Sequence, residues 1–346
     1  MSTETIRVGV IGAGANTTSK HIPGLQAQAG VEIVSVCNRS RGSSERVAQQ
    51  FNIPTVYEHW WELIAAPDTN AIVIGTWPYM HEPITVAALK AGKHVLCEAR
   101  MSRNVAEARS MLAASVANPH LTAQIVPSPY SLGVDRTIQR LIKEGFLGDL
   151  LAIDIRAGGG PFLNPDTPLH WRQDFDLSGY NIMSMGIWYE ALLRWVGEAT
   201  SVMAMGKSFV KMRLDTQTGT KRPAQVPEHV TIIAELACGA QANITVSAVS
   251  GLGDPDGAWL FGSAGTLRFV GGKLYGAKRG DSALAEIPIP EAERGGWRVE
   301  EEFVNAIRGL EPITHTSFGD GLKYMIFTEA VTRSMVEGKK ISLATL

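Results

Sequence analysis

The stretch Ile6-Arg7-Val8-Gly9-Val10-Ile11-Gly12-Ala13-Gly14 constrains the fold more than any other part of the chain. A short apolar run that breaks into Gly-Ala-Gly reads as a buried parallel strand ending at a nucleotide diphosphate. Gly12 lets the backbone turn tightly out of the strand. Gly14 removes a side chain, so that main-chain N–H groups can approach a pyrophosphate at the start of the next helix. The third glycine of the usual pattern is Thr17, within the small polar run Ala15-Asn16-Thr17-Thr18-Ser19.

A helix is expected from about Ser19 to Ala29 and a second strand over Val31–Cys37. Ser43–Phe51 reads as a helix, Ile53–Val56 as a short extended piece, and Glu58–Ala65 as a helix. Ala71–Gly75 reads as a strand, Glu82–Ala91 as a helix capped by Gly92, His94–Cys97 as a strand, Val105–Ala117 as a helix and Leu121–Val126 as a strand. Strands alternating with helices of this length specify a doubly wound parallel sheet.

The composition shifts at Pro127-Ser128-Pro129, which marks a boundary between residues 1–126 and 127–346. Beyond it Tyr130–Lys143 reads as a helix. Leu150–Arg156, Ser201–Val210, Val230–Leu236, Ala242–Ser250, Ala258–Phe261 and Thr266–Val270 read as strands, with no helix between the last four. That is an antiparallel sheet, and helices at Arg298–Ile307 and Asp320–Val336 complete an α+β domain. His229, Thr231, Gln241, Asn243, Thr245 and Ser247 are expected to share one face of the sheet.

The 346 residues suit two domains, and 45% hydrophobic with 19% charged residues is ordinary for a globular α/β chain. A net charge of −2 gives no reason to expect nucleic acid or an anionic membrane as partner. No apolar run is long enough to span a bilayer, and Met1–Thr5 has no signal-peptide core. Cys37, Cys97 and Cys238 lack C-x-x-C spacing, which points to a reducing, cytoplasmic setting. The eight histidines show no H-E-x-x-H pattern, so no metal is expected.

Together with the glycine loop, Thr76-Trp77-Pro78-Tyr79-Met80-His81, the run Ala87–Glu98 (AALKAGKHVLCE), Glu302-Phe303 and Ser334–Lys339 resemble the glucose-fructose oxidoreductase, inositol dehydrogenase and rhizopine-catabolism (Gfo/Idh/MocA) family. The resemblance implies an α/β Rossmann domain followed by an α+β domain with a large open sheet, which serves substrate binding and oligomerisation. It also implies a nicotinamide cofactor across the carboxyl ends of the parallel strands. The cofactor-binding residues are then Gly12, Gly14, Ala15, Asn16, Asn38, Arg39, Ser40, Thr76, Trp77, Pro78, His81 and Glu98. Because Cys37-Asn38-Arg39-Ser40-Arg41 carries no carboxylate, the expected cofactor is NADP, with NAD as the alternative.

Three departures from the family pattern fall where protons are handled. The usual Glu-Lys-Pro is Glu98-Ala99-Arg100, and the Asp-x-Gly-x-x-His element aligns with Ser184-Met185-Gly186-Ile187-Trp188. Ala99, Ser184 and Trp188 cannot serve as a base tuned near neutrality. Arg100 can stabilise negative charge but is a poor proton shuttle. His170, after the Gly158–Pro168 loop, and Tyr180 are the remaining catalytic candidates, with Asp174, Asp176, Tyr189 and Glu190 nearby.

The leading expectation is an NAD(P)-dependent oxidoreductase for a sugar, cyclitol or related polyhydroxylated small molecule, working as a homodimer or homotetramer. The alternatives are a cofactor-dependent redox-neutral lyase or glycoside-cleaving enzyme, and a non-catalytic dinucleotide-binding protein.

Overall fold

The computed structural model describes residues 5–346; the first four residues of the polar N-terminal segment lie outside them. The chain divides into two compact units, residues 1–127 with 298–322, and residues 128–297 with 323–346. Assigning all of 127–346 to the second domain therefore needs correction, because 298–322 returns to the first unit. The reason is local: the Gln124 amide donates to Glu302 at 2.8 Å and to the His315 carbonyl at 2.7 Å, and residues 124 and 317 form a β-bridge.

The first unit alternates strands and helices: β1 (Ile6–Ile11), α1 (Ile22–Gln26), β2 (Val31–Cys37), α2 (Arg41–Phe51), β3 (Thr55–Val56), α3 (Trp60–Ala65), β4 (Ala71–Ile74), α4 (His81–Lys90), β5 (His94–Cys97), α5 (Val105–Val116) and β6 (Ala123–Ile125). The strands pair in parallel in the order β3-β2-β1-β4-β5-β6, a doubly wound sheet. β1 and β4 are almost wholly buried, which is why they read as unbroken apolar runs. Ile11 pairs with Cys37 and with Ile74, and Ile74 pairs with Cys97. That register sets the residues following each strand, Gly12, Asn38, Gly75 and Glu98, along one edge of the sheet. The order reverses between β1 and β4, where open α/β sheets hold ligands.

The helix expected over Ser19–Ala29 is instead a wide π-type turn at Thr17–His21 followed by α1. Pro23 explains the change, since it lacks an N–H and its ring crowds the carbonyl four residues earlier. Gly92, at φ +75°, closes α4 as expected.

The second unit contains α6 (Asp135–Lys143), β7 (Leu150–Ala157), α7 (Phe175–Ser178), α8 (Met185–Val196), β8 (Ala199–Lys207), β9 (Met212–Asp215), β10 (Thr220–Pro223), β11 (His229–Leu236), β12 (Gln241–Ser247), β13 (Gly257–Gly262), β14 (Gly265–Val270), β15 (Lys273–Lys278) and β16 (Ala285–Ile287). The returning segment of the first unit then supplies α9 (Val299–Ile307). α10 (Phe318–Glu337) begins in the first unit and continues in the second, followed by β17 (Ile341–Ser342).

Nine strands form one sheet in the order β16-β15-β14-β13-β7-β12-β11-β8-β17, and β9 pairs with β10 in a separate hairpin. Every pairing in the large sheet is antiparallel except β7 with β12. On β11 and β12 buried and more exposed residues alternate, with Val230, Ile232, Ala234, Ala242, Ile244 and Val246 facing the core. Ser247 pairs with His229 and so shares its face, but it is buried there; its hydroxyl accepts hydrogen bonds from Val249 N–H and Ser250 Oγ. Behind the sheet Trp188 and Trp195 both contact Phe269, and Tyr189 stacks on Phe327 with ring centres 3.7 Å apart.

Candidate functional site

In the first unit a cleft of about 400 Å³ runs along the sheet edge, lined by Gly12, Ala13, Gly14, Asn38, Arg39, Ser40, Ser43, Arg46, Gly75, Thr76, Trp77 and Tyr79. A narrower recess of about 220 Å³ is lined by Cys37, Asn38, Arg39, Glu58, His59, Trp60 and Tyr79.

Gly12 has φ +85°, and a Cβ there would lie 2.6 Å from Thr76 N. It must be glycine on both counts. A Cβ on Gly14 would meet only the Gly75 carbonyl, at 3.7 Å, so Gly14 faces open space. This is the cradle a diphosphate needs. The close-packing task of the missing third glycine falls to Gly75, where a Cβ would strike Gly12 O and Thr17 Oγ1, both at 2.1 Å. Thr17 is buried and directs its hydroxyl to Gly12 O, while Thr18 Oγ1 donates to Gly14 O at 3.0 Å.

At the end of β2 the Asn38 side-chain oxygen accepts the Ala13 N–H at 2.6 Å, and the Asn38 amide donates to Ser43 O. The Arg39 guanidinium lies over the Trp77 ring, 5.6 Å from its centre. Arg41 is exposed and pairs with Glu45. Arg46, exposed on α2, lines the cleft beside Arg39. Sequence reasoning missed it, although its place two turns into the helix after β2 was the available signal. Trp60 lines the recess, whereas Trp61 is 53% exposed and stacks on His59.

His81 does not face the cleft as a ligand group. It is fully buried, with Nδ1 2.9 Å from Arg100 O and Nε2 3.0 Å from Thr76 O. Burial holds its pKa down against the pull of these carbonyls, so it braces the loops after β4 and β5. It does not cap α4 with its side chain either. Pro78, also buried, begins the short turn that leads into α4. Glu98 follows β5; its Oε1 accepts the Asn16 side-chain amide and lies 3.0 Å from His21 Nε2, and its Oε2 accepts the Ala99 N–H at 3.1 Å. Ala15 opens the segment leading to Asn16, and Ser40 precedes α2, its hydroxyl 3.1 Å from Ser43 Oγ. Arg100 is half-buried.

The catalytic candidates of the second unit are mostly committed to structure. Tyr189 is buried and accepts the Ala199 N–H at 2.9 Å, with its hydroxyl pKa pushed up by burial. Glu190 accepts from Ser128 N–H at 2.8 Å and from Arg194 at 2.9 Å. Asp174 caps α7 and pairs with Arg222 at 2.9 Å. Trp188, which the sequence reading aligns with the family histidine, is a core residue against Tyr130 and Phe269.

His170 caps the short turn Trp171–Gln173: its Nδ1 accepts the Arg172 N–H at 3.2 Å. Burial and the Arg172 charge lower its pKa, so the ring is neutral near pH 7. With Nδ1 accepting, the single proton sits on Nε2, which can donate a hydrogen bond but cannot take a proton. In this arrangement His170 offers an Nε2–H donor to its surroundings. Tyr180 is half-buried, with its ring edge-on to Phe175 at 5.2 Å.

The oxidoreductase family with an NAD-binding Rossmann fold, Gfo/Idh/MocA, matches residues 6–125, and that family's C-terminal domain matches residues 136–268. The chain belongs to the Gfo/Idh/MocA family. Its first unit is an NAD-binding Rossmann domain, and the protein is an oxidoreductase with a nicotinamide dinucleotide cofactor. It is 26% identical to the trans-1,2-dihydrobenzene-1,2-diol dehydrogenase of Mus musculus over 75% of this chain and 73% of that one. It is 40% identical to the inositol 2-dehydrogenase/D-chiro-inositol 3-dehydrogenase of Shouchella clausii over 27% of this chain and 28% of that one. The structure of levoglucosan dehydrogenase in complex with NADH and L-sorbose has the same fold, with a TM-score of 0.85 at 20% identity over 98% of this chain and 99% of that one. Among the described residues no helix is long and apolar enough to cross a membrane.

Proposed function

We propose that this protein is an NADP-preferring oxidoreductase acting on a secondary alcohol, or the matching ketone, of a ring-shaped polyol such as a sugar or cyclitol. One observation carries the cofactor reading: Arg39 and Arg46 line the cleft after β2, with no carboxylate there and the Asn38 oxygen already accepting the Ala13 N–H. A 2'-phosphate fits two guanidinium groups and the Ser40 hydroxyl, whereas the cleft's own lining offers a ribose hydroxyl no carboxylate, Glu58 lining the narrower recess.

The open space at Gly14 fits a pyrophosphate against Gly12, Ala15 and Asn16. Asn38, Arg39 and Ser40 hold the adenosine end, and Thr76, Trp77, Pro78 and Glu98 hold the nicotinamide end. His81 acts behind them as a brace. When bound there, the nicotinamide exchanges hydride with the substrate carbon.

In the first unit Arg100 is the group suited to stabilise negative charge on a substrate oxygen. In the second unit the Tyr180 hydroxyl is the candidate proton donor or acceptor. His170 is limited to donating a hydrogen bond from Nε2. The substrate class is supported by the relatives, whose names share a hydroxylated ring. The cytoplasmic setting rests on the three cysteines, all unpaired. Assembly as a homodimer or homotetramer rests on the outer face of the large sheet, where Met203, Met205 and Ile233 are exposed.

The test is a screen of cyclic polyols and their keto forms for change in NADPH absorbance, in wild type, Tyr180→Phe and His170→Ala. Turnover lost in Tyr180→Phe and kept in part in His170→Ala supports the assignment. No turnover with any member would sink the substrate class.

A further inference from the structure

His21 is fully buried in the turn before α1 and lies between two carboxylates from distant parts of the first unit. Its Nδ1 is 2.6 Å from Glu300 Oε1 on α9, and its Nε2 is 3.0 Å from Glu98 Oε1 after β5. A neutral imidazole carries one N–H and can donate to only one of the two. The other contact would then press a lone pair against a buried carboxylate oxygen, which is costly away from water. An imidazolium donates to both. Burial works against that charge, but the hydrogen bonds and charges of Glu300 and Glu98 outweigh it and raise the His21 pKa to about 9. Glu98, although buried, is held below its usual range by His21, Asn16 and the Ala99 N–H.

The consequence reaches the cleft through one atom. Glu98 Oε1 accepts from His21 and also from the side chain of Asn16, the residue that starts the turn after the glycine loop. We propose that His21 is a positioning residue: as a double donor it clamps Glu98 against Glu300, and through Glu98 it holds Asn16 and the loop in the geometry that binds dinucleotide. This rests on reading the Gly12–Gly14 loop as the dinucleotide site. Glu98 after β5, Glu300 from α9 and Asn16 from its own turn face His21. Behind Glu98 its charge is also felt by Cys97 and by His81 on α4, and burial keeps His81 neutral.

With its pKa raised on folding to about 9, His21 stays protonated and the clamp complete through neutral pH, and the clamp is lost as pH rises through about 9; the stability it adds is full below the ordinary value of 6.5. Dinucleotide affinity is therefore steady from pH 7 to 8 and falls across a step near pH 9.

The experiment titrates the full chain with NADPH, followed by fluorescence, from pH 7 to 10; the phosphate charges of the ligand are essentially constant there. Wild type, His21→Gln and Glu300→Gln are compared, with ¹⁵N-histidine NMR recording the His21 titration directly. Wild type should lose affinity roughly tenfold across the step, in the range of residues that act through another. His21→Gln should be weak already at pH 7.5 and show no step. Glu300→Gln keeps the imidazole but loses one carboxylate charge, so its step should move to lower pH. If His21→Gln does not fold, the shift in Glu300→Gln decides alone. Affinity flat to pH 10 in wild type, or the same step in all three proteins, overturns the clamp while leaving the cofactor site intact. Failure of wild type to bind NADPH at any pH overturns the reading of the loop, and the clamp with it.

Discussion

The Asn38 side-chain oxygen accepts the Ala13 main-chain N–H at 2.6 Å, tying the end of β2 to the middle of the glycine turn. In NAD-specific Rossmann domains a carboxylate near this place accepts the ribose hydroxyls. Here the acceptor is consumed inside the protein. What remains toward the cleft is positive, Arg39 and Arg46. The dissociation constant for NADP should thus be lower than for NAD, and Arg39→Ala should weaken NADP selectively. A bidentate charged contact is worth about 1.5–3 kcal/mol, or roughly ten- to hundredfold. Asn38→Asp keeps the Ala13 bond and adds a charge that repels the 2'-phosphate, so it should narrow or reverse the preference. Equal weakening of both cofactors in Arg39→Ala would show that Arg39 does not hold the phosphate.

Gly14→Val separates binding from folding. A side chain at position 14 meets only Gly75 O at 3.7 Å, so the melting temperature should change little, while dinucleotide affinity should collapse because the side chain fills the space left for phosphate. Calorimetric titration beside a thermal melt checks both halves. Unchanged affinity would remove the loop from the binding site.

The first unit could be read from the chain because its signals are local. The four central strands β1, β2, β4 and β5 are short, mostly apolar runs, and each is followed by a residue, Gly12, Asn38, Gly75 or Glu98, whose position is set by the register. The second unit was harder. β9, β10, β15, β16 and β17 went unread, for Thr220–Pro223 is lysine- and arginine-bearing and Ala285–Ile287 is three residues long. The return of residues 298–322 to the first unit could not be seen, since α9 looks like any amphipathic helix until Glu300 meets His21 and Glu302 meets Gln124. At the catalytic candidates the residue types were visible but their hydrogen bonds were not. That His170 Nδ1 caps a turn, for instance, is set by the loop's backbone and not by the residue pattern.

Restoring the family lysine with Ala99→Lys should not produce ordinary alcohol oxidation. On the alignment expected from the sequence, Trp188 stands for the family histidine and Ser184 for its aspartate; Trp188 is a buried core residue and Ser184 precedes α8 without a carboxylate, so the added amine should lack its partners. Residues that act as a unit are strongly non-additive. A steady-state assay with NADP and a panel of cyclic polyols checks this, and strong new activity in the single variant would show that the rest of the site is competent.

The outer face of the large sheet should hold copies of the chain together. Met203 pairs with Ile233, which pairs with Asn243, and Met205 pairs with Thr231, giving a mixed row with exposed apolar side chains at 51% for Met203, 80% for Met205 and 47% for Ile233. Isologous pairing of such a face suits a two-fold dimer. Light scattering at micromolar concentration should return a multiple of the 37.3 kDa chain mass. Met203→Glu with Ile233→Glu should return the monomer mass, with the far-ultraviolet circular dichroism unchanged.

Arg213 and Glu228 are a buried ion pair at 2.6 Å that also anchors a loop: Arg213 donates to the carbonyls of Asn164 and Thr167, and Glu228 accepts the N–H groups of Phe209 and Val210. Burial alone would raise the Glu228 pKa, but Arg213 and the two N–H groups lower it below its ordinary 4.5. A pKa depressed on folding gives stability that is present above 4.5 and lost as pH falls through the folded value. Arg213→Met leaves the carboxylate buried without its cation and should cost about 3 kcal/mol at pH 7. That cost should shrink toward pH 4, since protonation removes the stranded charge. Arg213→Met with Glu228→Gln should recover most of the loss at pH 7, because the neutral amide oxygen can still accept an N–H. Denaturant melts of wild type and the two variants at pH 7 and pH 4.5 measure each difference, and a cost for Arg213→Met that does not change with pH would assign its effect to packing and the loop carbonyls instead of to charge.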